Sequence, residues 1–206
     1  MSDGLRASER RVVYLARHGE TEWNRAGRWQ GHTDIPLTPL GRQQAAELAA
    51  RLRQAGLEHV IASDLSRARD TARIVADALG LDVAYEDADL RERMFGIFEG
   101  LTRTQCQTEH AQAWLSYEAD RATGPKGAET HQAVATRMLR AMKRALALSG
   151  RGGVLLVTHG SAMRILGNAL GDVGSDPIGN GQLLRVDVDA GEVVGVTRVA
   201  AHADRP

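Results

Sequence analysis

Val12-Val13-Tyr14-Leu15-Ala16-Arg17-His18-Gly19 near the start of the chain and Val154-Leu155-Leu156-Val157-Thr158-His159-Gly160 near its end share one pattern, an apolar run closed by His-Gly. Short continuous apolar runs with β-branched residues read as strands buried on both faces. Between and around them the pattern alternates. Thr38-Pro39 supplies an N-cap and a proline at the first helical position, and Ala45, Leu48, Leu52 and Ala55 recur at helical spacing until Gly56. His59-Val60-Ile61-Ala62 reads as a strand, and Ala68, Ala72, Val75 and Leu79 mark a helix ending at Gly80. Asp82–Tyr85 is a weaker strand, and Val134, Met138, Ala141, Ala145 and Leu148 form a long helical stripe. A helix over about 161–170 and strands near 182–188 and 192–198 complete the order.

Alternating strands and helices specify an α/β class, a three-layer α/β/α sandwich with a mostly parallel central sheet. The stretch 99–127, with Trp114, Tyr117 and Gly124-Pro125-Lys126-Gly127, fits the alternation least and is expected to be a small cap insertion. The expected organisation is a single domain over 11–198, with 1–10 and 199–206 fraying.

At 206 residues, 43% hydrophobic and 25% charged, the chain is long enough for one substantial core. Its 26 basic and 26 acidic residues cancel, which argues against nucleic acid or an anionic membrane as partner. Only Lys126 and Lys143 are lysines; the remaining basic residues are arginines. The single cysteine, Cys106, rules out an internal disulfide and an all-cysteine metal site, and reads as an inert, half-buried thiol. No apolar run approaches the ~18 residues that span a bilayer, and Met1–Arg11 lacks the apolar stretch of a signal peptide, so the expected location is the cytoplasm. A sheet edge near 192–198 leaves a homodimer open.

Ligands of open parallel sheets bind outside the carboxyl ends of the strands, so two His-Gly strand ends place His18 and His159 at one edge. The glycines after them, Gly19 and Gly160, permit close backbone approach. Arg67 falls in the first turn of a helix, where its charge opposes the dipole unless an anion is bound there. Arg17 is equally unusual at the end of a buried strand. Each arginine alone reads as a surface ion pair; converging with two histidines, they read as a phosphate pocket. Glu92, in Asp89-Leu90-Arg91-Glu92-Arg93-Met94-Phe95-Gly96, is the candidate proton donor, with a surface pair to Arg91 or Arg93 as the plainer alternative.

The stretch Arg17-His18-Gly19-Glu20-Thr21-Glu22-Trp23-Asn24 resembles the signature of the histidine phosphatase superfamily, the branch that includes cofactor-dependent phosphoglycerate mutase. Ser63, Arg67 and Thr71-Ala72, then Leu90-Arg91-Glu92, then Thr158-His159-Gly160 follow in the family's order, over about 12–188. The resemblance implies that His18 attacks phosphorus, that Glu92 protonates the leaving alkoxide, and that Arg17, Arg67 and His159 hold the phosphoryl oxygens. It implies no cofactor and no metal, and a small phosphorylated metabolite as partner. Asn24, Thr21, Gln30, Gly31, Gly160 and Phe95 are the corresponding substrate-binding candidates; a loop cap and a turn are equally good readings of the loop residues among them. Met94, Phe95, Phe98 and Trp114 are candidates for an apolar wall. Trp23 and Trp29 read as loop packing. His32, His59, His110, His131 and His202 receive no role.

Three functions follow from the resemblance. The mutase branch carries a long insertion with an adjacent arginine pair, and has a tyrosine where Phe95 stands; here 99–127 holds only scattered Arg103, Arg121 and Lys126. Phe95-Gly96-Ile97-Phe98-Glu99-Gly100 resembles the phosphatase side, so hydrolysis through a phosphohistidine is favoured over mutase chemistry. A non-catalytic phosphate-binding module is the third reading, disfavoured because the chain keeps all five catalytic candidates.

Overall fold

The computed structural model describes residues 10–171 and 173–199. The segments expected to fray lie outside them, apart from Arg10 and Val199. In chain order the described residues form β1 (Arg11–Arg17), the one-turn α1 (Glu22–Arg25), α2 (Pro39–Leu52), β2 (Leu57–Ala62), α3 (Ser66–Leu79) and β3 (Val83–Glu86). Then come α4 (Arg103–Glu109), α5 (Ala111–Ala119), α6 (His131–Leu148), β4 (Gly153–Thr158), α7 (Gly160–Leu170), β5 (Leu183–Asp189) and β6 (Glu192–Val199). Short 3-10 turns occupy Ala88–Leu90 and Gly96–Phe98.

The strands make one six-stranded sheet in the order β3-β2-β4-β1-β5-β6. β3, β2, β4 and β1 pair in parallel, while β5 joins β1, and β6 joins β5, antiparallel. β4 lies mid-sheet with all six residues buried, which is why its sequence is a continuous apolar run. Local signals set the helix ends. The Thr38 hydroxyl accepts from the Gly41 N–H at 3.0 Å with Pro39 at the first position of α2, and α3 stops at Gly80 in the left-handed region, φ 68°.

Side chains alternate across the sheet. Val13 and Leu15 of β1 and Val154 and Leu156 of β4 pack against Val134 and Met138 of α6 and Met163 and Leu166 of α7. Ala16, Leu155 and Val157 face the other way, onto Leu48 and Leu52 of α2 and Ala72 and Val75 of α3. Truncating a side chain such as Leu155 or Leu156, neither of which is exposed, costs about 2–5 kcal/mol. The helices that follow β1 and β4 therefore lie on opposite faces, and the adjacent strands diverge at their carboxyl ends into a crevice.

The expected cap consists of α4 and α5 with an aromatic core of its own, Phe95, Phe98, Cys106, Trp114 and Tyr117, against which Trp29 packs. Cys106 is fully buried, not half-buried, and burial pushes its thiol upward. Two isolated bridges tie the cap down, Arg28 to Thr102 and Phe95 to Ala128. Among the described residues no helix is long and apolar enough to cross a membrane.

Candidate active site

Arg17 closes β1 opposite Thr158, which closes β4, so His18 and His159 occupy matching positions just beyond their strands. Their ring centroids lie 5.0 Å apart at 60°. The His18 N–H donates to the Thr158 carbonyl at 3.0 Å, locking the two strand ends together. His18 Nδ1 sits 2.7 Å from the Gly19 carbonyl. A carbonyl only accepts, so Nδ1 carries the proton and Nε2 carries the lone pair. Burial, then the charges of Arg67 and Arg17, push the His18 pKa well below its usual 6.5, against the opposing bond to Gly19. The ring is a neutral base at physiological pH.

Gly19 makes this turn possible. A Cβ there would lie 2.1 Å from the Gly41 carbonyl oxygen, so the loop runs directly against the first turn of α2. The Gly19 N–H donates to the Thr71 hydroxyl at 3.1 Å, which donates to the Arg67 carbonyl at 2.7 Å.

Arg67 is wholly buried. Its Nε donates to His159 Nδ1 at 3.2 Å, and its terminal nitrogens donate to the carbonyls of Thr33 and Gly31, each at 2.8 Å. Burial lowers its pKa to about 10, which leaves it charged near neutrality. Because arginine only donates, the His159 proton sits on Nε2 and points at the Ser63 hydroxyl, 3.0 Å away. Burial, then Arg67 and the other nearby charges, hold His159 well below the usual imidazole range too.

Arg17 donates from Nη1 to the Ile178 carbonyl at 2.6 Å, while its buried Nε has no hydrogen-bond partner. A buried donor without a partner is a place for a ligand acceptor. A Cβ on Gly160 would lie 3.2 Å from that Nε, so the glycine lets Arg17 cross the start of α7.

Glu92 belongs to the same end of α7. Its Oε2 accepts from the Ser161 N–H at 3.1 Å, and its Oε1 from the N–H groups of Ala162 at 2.9 Å and Arg93 at 2.8 Å. The alternative of a surface ion pair does not hold: Arg91 pairs with Asp64, and the Arg93 side chain is spent on the carbonyls of Glu129, Arg121 and Ala122. The Glu92 backbone is strapped as well. Its carbonyl accepts from Arg137 Nη2 at 2.8 Å and lies 2.9 Å from His32 Nε2, and Arg137 also holds the carbonyls of Asp89 and Arg91.

These groups open onto a cleft of about 230 Å³. Arg17, His18, Arg67 and Glu92 line one end, and His159 stands behind them, buried, contacting His18 and Arg67. Asn24, Gln30 and Phe95 also line the cleft, and Gln30 presents a buried Oε1 without a partner.

Four candidates are placed differently. His159, expected to hold a phosphoryl oxygen, does not line the cleft, and its two ring nitrogens are engaged by Arg67 and Ser63. Thr21 is buried as the N-cap of α1, bonded to Asn24, so it positions the loop and does not reach the cleft. Gly31 and Gly160 do not line the cleft; the first anchors Arg67 through its carbonyl and the second makes room for Arg17. Of the proposed apolar wall only Phe95 lines the cleft, joined by Trp29 at 4.6 Å between centroids; Phe98 and Trp114 are core of the cap, and Met94 is exposed. Sequence reasoning missed Arg28, Arg103 and Ser161 on the wall, and His32, Arg137 and Asn180 behind it. Asn180 Nδ2 donates to the His18 carbonyl at 2.9 Å. Only long-range contacts reveal these roles.

A neutral imidazole lone pair, a carboxylate on backbone N–H groups and two buried guanidiniums form a set suited to a phosphoryl group. Among the described residues no cluster of three or more His, Cys, Asp or Glu could hold a metal ion. A family model described as the histidine phosphatase superfamily, branch 1, matches residues 13–198. The chain belongs to the histidine phosphatase superfamily. Among the relatives of this chain, the "Probable phosphoglycerate mutase GpmB" of Enterobacter sp. (strain 638) is 41% identical over 157 residues, covering 75% of this chain and 72% of the relative. Among solved structures, Bacillus stearothermophilus YhfR superposes with a TM-score of 0.80 at 31% identity, over 89% of this chain and 94% of that one. The mycobacterial glucosyl-3-phosphoglycerate phosphatase Rv2419c, in complex with VO3, gives 0.77 at 30% identity, over 85% and 90% of the two chains.

Proposed function

We propose that this histidine phosphatase hydrolyses a small phosphomonoester through a phosphohistidine formed on His18. The observation that carries the reading is the bond from His18 Nδ1–H to the Gly19 carbonyl at 2.7 Å, which keeps Nε2 unprotonated on the wall of the cleft. Nε2 attacks phosphorus in line as the P–O bond to the alcohol breaks, and Glu92 gives its proton to the departing oxygen. The Glu92 carboxylate then takes a proton from water, which attacks the phosphohistidine and releases phosphate. Arg17 and Arg67 balance the oxygens' charge through both steps, and His159 supports the pair from behind. Neither step calls for a metal.

Removing an oxygen-holding arginine is expected to cost on the order of 3 kcal/mol of transition-state stabilisation. Turnover of p-nitrophenyl phosphate in the presence of a chelator tests the reading. It is expected to persist with the chelator and to vanish in His18→Ala; undiminished turnover in that variant refutes it.

A second reading, phosphoglycerate mutase, is favoured by the name of the GpmB relatives. Against it stands the absence of an adjacent arginine pair in 99–127. Phosphoryl exchange between 3- and 2-phosphoglycerate in the presence of the bisphosphate distinguishes the two.

A further inference from the structure

A guanidinium has five N–H groups, and Arg67 spends three of them within the protein: one on His159, and one from each terminal nitrogen on the carbonyls of Thr33 and Gly31. The two that remain, one on each terminal nitrogen, are the donors left for a phosphoryl oxygen where the side chain lines the cleft. The plane of that fork is set by the two carbonyls. The loop that carries them therefore aims the arginine.

A carboxylate outside the catalytic set holds this loop. Glu99, partly buried just after the 3-10 turn at Gly96–Phe98, accepts from two segments at once. On the loop, the His32 N–H donates to Oε1 at 3.4 Å and the Thr33 hydroxyl donates to Oε2 at 3.2 Å. Just past Glu92, the Phe95 N–H donates to Oε1 at 3.0 Å. The fit leaves no room for a side chain at Gly31, which has φ 52° and where a Cβ would lie 1.9 Å from Glu99 Oε1. Charge acts in the same direction: burial pushes the Arg67 pKa down, and the charges of Glu92, Asp34 and Glu99 resist the fall. No step of the hydrolysis uses the carboxylate in Gly96-Ile97-Phe98-Glu99-Gly100.

We propose that Glu99 is a positioning residue: by bonding His32, Thr33 and Phe95 it locks the loop whose carbonyls aim the Arg67 fork at the phosphoryl group. The proposal rests on the hydrolase reading for the part Arg67 plays in turnover, and on these bonds for the rest.

A double-mutant cycle tests it, read in kcat/KM for p-nitrophenyl phosphate and in the inhibition constant of inorganic phosphate, which does not depend on how much of the enzyme is folded. Glu99→Gln keeps the shape but removes the charge and one acceptor oxygen. It is expected to lower kcat/KM by about tenfold and to raise the phosphate inhibition constant by about the same factor. In an Arg67→Lys background, where no fork is left to aim, the same substitution is expected to change each by less than about twofold. An unchanged inhibition constant in Glu99→Gln, or equal costs in the two backgrounds, overturns the proposal. Thr33→Val removes one of the three bonds and leaves the Thr33 carbonyl in place. Should Glu99→Gln not fold, a rise of about threefold in the inhibition constant of Thr33→Val upholds the proposal and an unchanged value overturns it. If the wild type does not turn over p-nitrophenyl phosphate, the hydrolase reading fails by itself; the same cycle is then read as calorimetric affinity for phosphate, non-additive losses upholding the proposal and additive ones overturning it.

Discussion

Arg137, on the face of α6 that meets the sheet, donates from Nη2 to the carbonyl of Glu92 at 2.8 Å, and it is buried where it does so. The same guanidinium holds the carbonyls of Asp89 and Arg91 and pairs with Glu129. One side chain, 45 residues away in sequence, therefore fixes the path of the acid segment.

Arg137→Met should consequently weaken acid catalysis more than phosphate binding. Turnover of alkyl phosphates, whose leaving oxygens need the proton, is expected to fall by about 10- to 100-fold. Turnover of p-nitrophenyl phosphate, a good leaving group, should fall much less, with KM little altered. A purely structural role would lower both substrates equally, and steady-state kinetics with the two esters reads the difference.

Gly19→Ala is expected to damage stability and catalysis together. The added Cβ would sit 2.1 Å from the Gly41 carbonyl oxygen, a backbone atom that a rotamer change cannot move aside. Overpacking of this kind costs about 1–3 kcal/mol, and the forced shift displaces the carbonyl that holds His18 Nδ1. Urea denaturation should show the loss, and kcat should fall further than the folded fraction explains.

Stability should also fall on acidification in a window that isolates the histidines. Burial holds His18 and His159 well below the usual 6.5, whereas in the unfolded chain both take up protons near that value. The unfolded state therefore binds more protons as the pH drops through 6.5, and the stability present above it is lost below, approaching about 2.7 kcal/mol per pH unit for these two groups, with a smaller addition from the half-buried His131, which burial and Arg93 lower to about 4. Carboxylates such as Asp64, held low by Arg91, contribute only at more acidic pH. Urea midpoints at pH 7.5, 6.5 and 5.5 check this; a flat profile would mean that the rings are not buried as neutral bases.

Much of the fold was legible because it is written in local periodicity. The apolar run into His159 fills a wholly buried strand and the one into His18 a strand buried at Val13, Leu15 and Ala16, and Thr38-Pro39 and Gly80 bound helices by chemistry that needs no distant partner. Arg67 was legible as an oddity, a charge in the first turn of a helix. Its reason, two loop carbonyls and a histidine ring, appears only once the chain closes on itself. Thr21 shows the opposite failure: a capping residue and a ligand residue look alike in a motif, and its bonds to Asn24 decide for the cap. Arg137, His32 and Asn180 carry no local signal at all, since each acts on a backbone carbonyl at least 45 residues away.

The central claim is that His18 Nε2 becomes bonded to phosphorus during turnover. Rapid quenching with a substrate radiolabelled in its phosphoryl group, followed by peptide mapping, tests it most directly. The expected result is an acid-labile, base-stable label on the peptide containing His18, absent from His18→Ala. A label mapped to another residue, or full turnover without any covalent label, would contradict it.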